Sequence, residues 1–130
     1  MGEGAAVHEL KQKEAQRRIS REELLQPKIK EEDLPISELG GSVKIRSLSQ
    51  ERRRLIREGS KAGTPEYDEG YYELLLVVYS VVEPKMSMDD VEALKDQDAS
   101  IIDQIIIGIN MLNMFGTLDQ LKNALSETQN

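Results

Sequence analysis

Carboxylates are the most abundant residues in this sequence that could do chemistry. Five of them follow Pro84, and such a group could attract a divalent cation, because hard cations prefer oxygen ligands. The group lacks the glycine and the closing glutamate of an EF-hand loop. We therefore interpret it as negative charge at helix starts and on a solvated face, and we predict no metal site. Its members are Asp89, Asp90, Glu92, Asp96 and Asp98.

The residues needed for nucleophilic catalysis are scarce. The chain has no cysteine and one histidine, His8, which argues against a catalytic triad and excludes thiolate metal sites and disulfides. No Walker loop, dinucleotide fingerprint, GxSxG elbow or HExxH motif is present. Glu73 and Asp103 stand in apolar surroundings, but each is more simply the polar stripe of a helix. We predict a protein that is not an enzyme and needs no cofactor.

A basic run forms the opposite chemical feature. Arg52, Arg53, Arg54, Arg57 and Lys61 follow Ser47 and Ser49, either of which can cap a helix. The run is either a solvated helix face or a contact for an acidic partner, including the acidic second half of this chain.

Charge divides the chain into two unlike halves. Residues 1–63 contain 14 Lys and Arg against 11 Asp and Glu, whereas residues 64–130 contain 3 against 13. This asymmetry indicates partner surfaces of different sign. The acidic half and the scarcity of aromatic residues argue against nucleic acid as a ligand.

The stretch from Thr64 to Pro84 predicts the central helix. Thr64 is a suitable N-cap, Pro65 fits the first helical position, and Pro84 stops the helix near Glu83. Its apolar residues occupy nearly every side. A strand over the VVYSVV segment is the competing interpretation, because β-branched residues favour sheets.

The first half of the chain predicts an arm and a hairpin. Residues 1–33 read as a charged N-terminal arm that is flexible or helical over about Glu9 to Leu25. Gly40-Gly41 marks a turn, and Val43 and Ile45 alternate with basic residues as in a half-buried strand.

The second half predicts three more helices. Ser87 and Asp90 have capping-box spacing, so a short helix over about Met88 to Lys95 should follow. An isoleucine-rich helix then starts at Asp98 or Ser100 and ends at Gly116, and a last short helix follows Thr117. The expected fold is mainly α: a small helical domain over residues 34–126 with a short N-terminal β-hairpin, an arm over 1–33 and a tail over 127–130.

No apolar run reaches the ~18 to 20 residues that cross a bilayer. The N-terminal segment also lacks the apolar core of a signal peptide. We therefore expect a soluble, intracellular protein that does not associate with a membrane.

Three segments in this order resemble the tail assembly chaperones of long-tailed bacteriophages, of the XkdN-like kind. The first is a strand leading into a helix start at Ile45, Arg46, Leu48 and Ser49. The second is an apolar helix closed by Val-Val-Glu-Pro at 81–84, and the third is an apolar helix followed by Phe115 and Gly116. The resemblance covers about residues 36–118.

The resemblance implies a non-enzymatic chaperone in the host cell cytoplasm that is absent from the mature virion. It would bind the helical tape measure protein and keep it soluble while the tail tube polymerises. It would form homo-oligomers, and a frameshifted, extended form would recruit tail tube protein. The alternative is a small helical adaptor or regulator that dimerises through its isoleucine-rich helix.

Partner-binding residues can be proposed on two surfaces. An apolar helical client needs an apolar groove, and the basic helix face is a second candidate. Ordinary core packing is the competing interpretation of each apolar residue. The groove candidates are Leu75, Val78, Tyr79, Val82, Ile106, Ile109 and Met114, and the basic candidates are Arg53, Arg54 and Arg57.

Overall fold

A computed structural model describes residues 17–114, and the predicted helix after Thr117 lies outside them. Within residues 17–114, five α-helices and three strands follow one another, with 3-10 turns at Ser37–Leu39 and Met88–Asp90. The elements are α1 (Arg21–Leu25), β1 (Glu31–Ile36), β2 (Gly41–Arg46), α2 (Gln50–Ser60), α3 (Glu69–Ser80), β3 (Val81–Glu83), α4 (Val91–Leu94) and α5 (Ala99–Met114).

The three strands form one antiparallel sheet in the order β1-β2-β3. Leu34 of β1 lies opposite Val43, and Val81 of β3 lies opposite Ile45, which puts these side chains on the face towards the core. The prediction of a mainly α fold is therefore wrong, and the fold is mixed α/β. A short hairpin was expected, but the sheet has a third strand and is a full layer of the domain.

The third strand arises where the central helix was expected to continue. Helix α3 ends at Ser80, and the next residue is extended and pairs with β2. Val81 and Val82 are β-branched, so they tolerate either conformation, and the apolar partner Ile45 favours the strand. Pro84 thus follows a strand instead of ending a helix.

The start of α3 also differs from the prediction. Asp68 is the N-cap, and its carboxylate accepts the backbone N–H of Tyr71 at 3.0 Å. The Thr64 hydroxyl instead donates to the Lys61 carbonyl at 2.7 Å and accepts the N–H of Glu66. Thr64 therefore stabilises a turn between α2 and α3, which is the other common use of a threonine side chain.

Other local predictions are confirmed. Ser49 caps α2, and Ser87 and Asp90 form the expected capping box. Ser47 does not cap α2; its hydroxyl accepts the backbone N–H of Lys30 at 2.8 Å. Of the helix expected over Glu9 to Leu25, the described part contains α1 alone, and β1 begins at Glu31, within the range predicted for the arm.

Helix α3 is the centre of the core. Leu75, Leu76 and Val77 pack with the sheet, α2 and α5 in one apolar cluster, while Leu74 and Val78 pack with Val91 in a second. The helix is therefore buried on two sides, which explains why its sequence is apolar almost all round.

Helix α5 lies close against the sheet because it carries a glycine at the contact. A Cβ atom added at Gly108 would lie 2.6 Å from Leu34 Cδ2, closer than carbon atoms can approach. Asn113 fixes the far end of α5. Its side-chain oxygen accepts the backbone N–H of Leu48 at 2.7 Å, and its amide donates to the Ile109 carbonyl.

We expect Gly108→Val to lower the free energy of unfolding by about 1–3 kcal/mol, because the added methyl groups must displace Leu34 from a filled core. Urea denaturation measures the change. Ile107→Val, on the exposed face of the same helix, is the matched control and should change stability by less than about 0.5 kcal/mol. Equal effects of the two substitutions would contradict the close contact between α5 and β1.

Hydrogen bonds at the start of α5 should make the free energy of unfolding depend on pH in the acidic range. The hydroxyl and the backbone N–H of Ser100 both donate to Asp98, and they hold the pKa of that carboxyl below its usual value. A carboxyl with a lowered folded-state pKa stabilises the fold above its unfolded pKa of about 3.9, and this contribution is lost as the pH falls through the folded pKa.

Asp98→Asn should therefore be less stable than the parent protein at pH 6, and the difference should shrink as the pH falls below about 4. Thermal unfolding from pH 2.5 to 7 measures it. Ser100→Ala removes one donor and should reduce the same pH-dependent difference. A difference between parent and Asp98→Asn that does not change with pH would show that the charge of Asp98 contributes nothing.

Candidate partner-binding surfaces

The apolar residues that were predicted to form one groove do not lie together in the structure. Leu75 and Ile109 lie in the main core and are not available at the surface. Val82 and Ile106 are half-buried, and Ile106 packs against the main core. Met114 is the last residue of α5, and its side chain lies outside the described atoms. Val78, which is buried, and Tyr79, which is half-buried, line one surface groove together.

That groove, which we call the methionine groove, has a volume of about 360 Å³. Its apolar lining comes from the end of α3, one side of α2 and the loop after β3. Two arginines and a serine complete it, and no carboxylate of the described residues lines it. The lining residues are Leu55, Val78, Tyr79, Met86, Met88, Arg46, Arg52 and Ser87.

Two hydrogen bonds hold the walls of the methionine groove in place. Arg46 donates from Nε to the Tyr79 carbonyl at 3.4 Å, which joins the end of β2 to the end of α3. The backbone N–H of Ser87 donates to Asp90 at 2.7 Å, so the loop that carries both methionines is fixed by a capping box. Met88 and Leu55 are 47% and 36% exposed, so both can contact a partner.

Methionine suits a surface that must accept partners of different shape, because its side chain is unbranched, flexible and polarisable. Leu55, Met86 and both rim arginines were not among the residues predicted for the groove. The Lys-Met-Ser-Met segment directly after Pro84 is the sequence signal that could have indicated it.

The opposite side of α2 forms a second, basic groove of about 780 Å³, which we call the arginine groove. All three predicted basic residues line it, so the structure does bring them together. The remaining polar lining includes two glutamates. The groove is lined by Gln50, Arg53, Arg54, Arg57, Glu58, Lys61, Ala62, Thr64 and Glu66.

The three arginines differ in whether they form ion pairs with glutamates of the same helix. Arg54 forms ion pairs along the helix with Glu51 and with Glu58. Both carboxylates raise the pKa of its guanidinium, and Glu51 has the larger effect. Within residues 17–114, Arg53 and Arg57 form no ion pair. These two residues therefore have the charge that an acidic partner could use.

Glu73 and Asp103 are far apart in the sequence, but both line one pocket of about 350 Å³ between α3 and α5. Asp103 is exposed and Glu73 is half-buried, and Lys95 lines the same pocket. The structure thus brings the two carboxylates to one open pocket, which Lys95 also lines.

The isoleucine-rich helix offers little surface for dimerisation. Ile101, Ile102, Ile105 and Ile109 are buried in the core. Ile107 is 50% exposed and is the large apolar side chain that the described part of α5 presents to solvent. A dimer through this helix would therefore have a narrow apolar contact.

Residues 17–114 were also considered as a membrane span and as a metal site, and they fit neither. Among these residues there is no helix with the length and apolarity to cross a membrane. Within the same range, no three His, Cys, Asp or Glu side chains are grouped so that they could hold a metal ion.

Comparison of the chain with protein-family models, curated proteins and solved structures gave no match. The resemblance to tail assembly chaperones therefore depends on the sequence motifs alone.

We expect the ion pairs of Arg54 to matter for stability. Arg54→Glu replaces two attractions along α2 with two repulsions and should lower the midpoint of thermal unfolding by about 3–6 °C at low salt. Arg53→Glu, one residue earlier on the same helix, is the control and should change the midpoint by less than about 1 °C. A larger effect from Arg53→Glu would mean that Arg53 has a structural partner.

Proposed function

We propose that this protein is a non-enzymatic assembly chaperone of a long-tailed bacteriophage. It binds the tape measure protein in the host cell cytoplasm and keeps it soluble until the tail tube encloses it. It is absent from the mature virion, and an extended form of the chain recruits the tail tube protein. The observation that carries the proposal is the methionine groove, an open apolar surface on a charged domain.

The groove suits one side of an amphipathic helix. Helix-in-groove recognition needs an apolar floor that receives side chains at positions i, i+3 and i+4. Leu55 and Met88, which are exposed, and the buried Val78 belong to the apolar lining of the groove. The flexible methionines allow the groove to accept successive, non-identical segments of a long client.

The charges around the groove fit the same client. Arg46 and Arg52 at the rim can pair with acidic residues beside the apolar stripe of a helix. The arginine groove, on the other side of α2, extends the positive surface. Attraction of this kind speeds association and sets the orientation of a client more than it adds affinity.

Co-expression with the tape measure protein tests the proposal. We expect the client to appear in the soluble fraction and to co-elute with several copies of this protein. Leu55→Glu with Met88→Glu should reduce the soluble client at least about 10-fold, because a client helix would then bury charge against its apolar stripe. Both positions are exposed, so the fold should survive, which circular dichroism checks.

The matched control is Ile107→Glu, which adds a charge at an exposed apolar residue outside the groove. It should leave the soluble client unchanged. A client that stays insoluble with the parent protein would refute the proposed function. Loss of a discrete dimer with Ile107→Glu alone would instead support the adaptor that dimerises through its isoleucine-rich helix.

A further inference from the structure

Three cations form a row along α2, on the side opposite the methionine groove. Arg53 and Arg57 lie one turn apart on the same face of the helix, and Lys61 follows four residues later at the C-cap. All three side chains belong to exposed residues, and all three line the arginine groove. We call these three residues the cation row.

The ion pairs of α2 leave the charge of the cation row unused. Glu51 and Glu58 are the carboxylates of this helix, and Arg54 forms ion pairs with both. Within residues 17–114, no member of the cation row forms an ion pair. Glu66 is the other carboxylate that lines the arginine groove, so the groove keeps an excess of positive charge.

A second concave surface also contains part of the cation row. Arg53 and Arg57 line a pocket of about 220 Å³ between α2, α3 and α5, and none of its described lining residues is a carboxylate. Tyr72 on α3 and Asn110 on α5 add polar groups to the lining. The two arginines therefore border two concave surfaces, and a partner in either one would contact them.

The chemistry of the cation row suits the carboxylates of a polypeptide. Arginine can bind a carboxylate through two parallel hydrogen bonds. Acidic side chains at positions i, i+4 and i+8 of a partner helix would have the same spacing as the cation row. A nucleic acid suits it less, because such binding depends on neutralising many phosphates, and the row has three charges on a chain of net charge −7.

The two ends of the chain outside residues 17–114 do not contain this acidic spacing. Each end has a formal net charge of −1, from three carboxylates against two lysines in residues 1–16 and two against one in residues 115–130. The five carboxylates are Glu3, Glu9, Glu14, Asp119 and Glu127. Within either end, no two of them are three or four residues apart. A separate polypeptide is therefore the better source of the matching pattern.

We propose that the cation row binds a helical segment of a partner polypeptide that carries acidic side chains at positions i, i+4 and i+8. The inference rests on the proposed function in one respect, the helical client, and it states which chemistry of that client this side of α2 recognises. The methionine groove receives an apolar stripe, and the cation row receives an acidic one. Because the two sites lie on opposite sides of α2, different segments of a long client can occupy them.

Two synthetic peptides of equal composition test the proposal. Both are alanine-rich and carry fluorescein and three glutamates, which lie at i, i+4 and i+8 in the matched peptide and at i, i+5 and i+10 in the unmatched one. Fluorescence anisotropy with the full-length protein at low salt measures their binding. The matched peptide should bind about 5-fold more tightly or better, and about 0.5 M sodium chloride should abolish its binding. Equal affinity for both peptides would overturn the proposal.

Charge-neutral variants locate the binding site. Arg53→Gln with Arg57→Gln should weaken binding of the matched peptide about 5-fold or more. Arg18→Gln with Arg21→Gln is the matched control, because it removes the same charge from two exposed arginines that form no ion pair within residues 17–114. The control should change the affinity less than about 2-fold. Equal losses would contradict the proposal, because net charge alone would then attract the peptide. Circular dichroism checks that both variants fold.

Other occupants of the cation row would give different results. A full-length variant in which amides replace all five carboxylates of the two chain ends should bind the matched peptide as the parent does. Binding that is about 10-fold tighter or more would mean that the ends of the chain occupy the row. A parent dimer that Arg53→Gln with Arg57→Gln dissociates would identify a second copy as the occupant. A thymidine oligonucleotide that binds more tightly than the matched peptide would indicate an unspecific anion site. Each of these three results would overturn the proposal.

The peptide measurement also separates this inference from the proposed function, because it needs no tape measure protein. If the protein keeps the tape measure protein soluble but binds both peptides equally, the inference fails and the proposed function stands. If the matched peptide binds through the cation row while the tape measure protein stays insoluble, the proposed function fails. The cation row would then recognise an acidic helix of another protein.

Discussion

Burial of α3 on two sides is the constraint on which the rest of the structure depends. Full burial of a leucine or valine side chain contributes roughly 1.5–3 kcal/mol relative to exposure. Five buried residues follow one another from Leu74 to Val78, and Leu75 and Val77 are the most deeply buried of them. No single layer could cover all of them. The sheet, α2 and α5 cover one side, and α4 with the loop after β3 covers the other. That loop brings Met86 and Met88 beside the last turn of α3, and this is how the core produces a surface groove.

The sequence predicted elements where one local signal stood alone. The Ser87–Asp90 box and the alternation of Val43 and Ile45 had no strong competitor, and each is confirmed. Before α2 the sequence left Ser47 and Ser49 as alternatives, and Ser49 is the cap. Prediction from the sequence failed where two local signals were comparable in strength. Thr64 and Asp68 are both good caps, and the backbone N–H of Asp68, bound to the Ser60 carbonyl at 3.1 Å, belongs to a tertiary connection that no local pattern contains. Val81 likewise lies in a strand because it pairs with Ile45, which is distant in the sequence.

The same physical reason limits what the sequence indicates about the site. A helix that is apolar almost all round has no marked phase, so its pattern does not show which residues face solvent. Leu75 and Val78 looked equivalent in the sequence, yet Leu75 is in the main core, whereas Val78 is buried in the second cluster and lines the methionine groove. The basic side of α2 was easier to predict, because charged residues at helical spacing must face water, and Arg53, Arg54 and Arg57 do line one groove.

Within residues 17–114, β1 is an edge strand of the sheet, and its composition disfavours pairing with another chain. Exposed strand edges commonly pair with other chains unless charge or proline prevents it. Strand β1 begins with Glu31, Glu32 and Asp33, and Pro35 has no N–H to donate. Two β1 strands placed edge to edge would bring carboxylates close to one another, which destabilises a pair. Strand pairing between copies through β1 is therefore disfavoured.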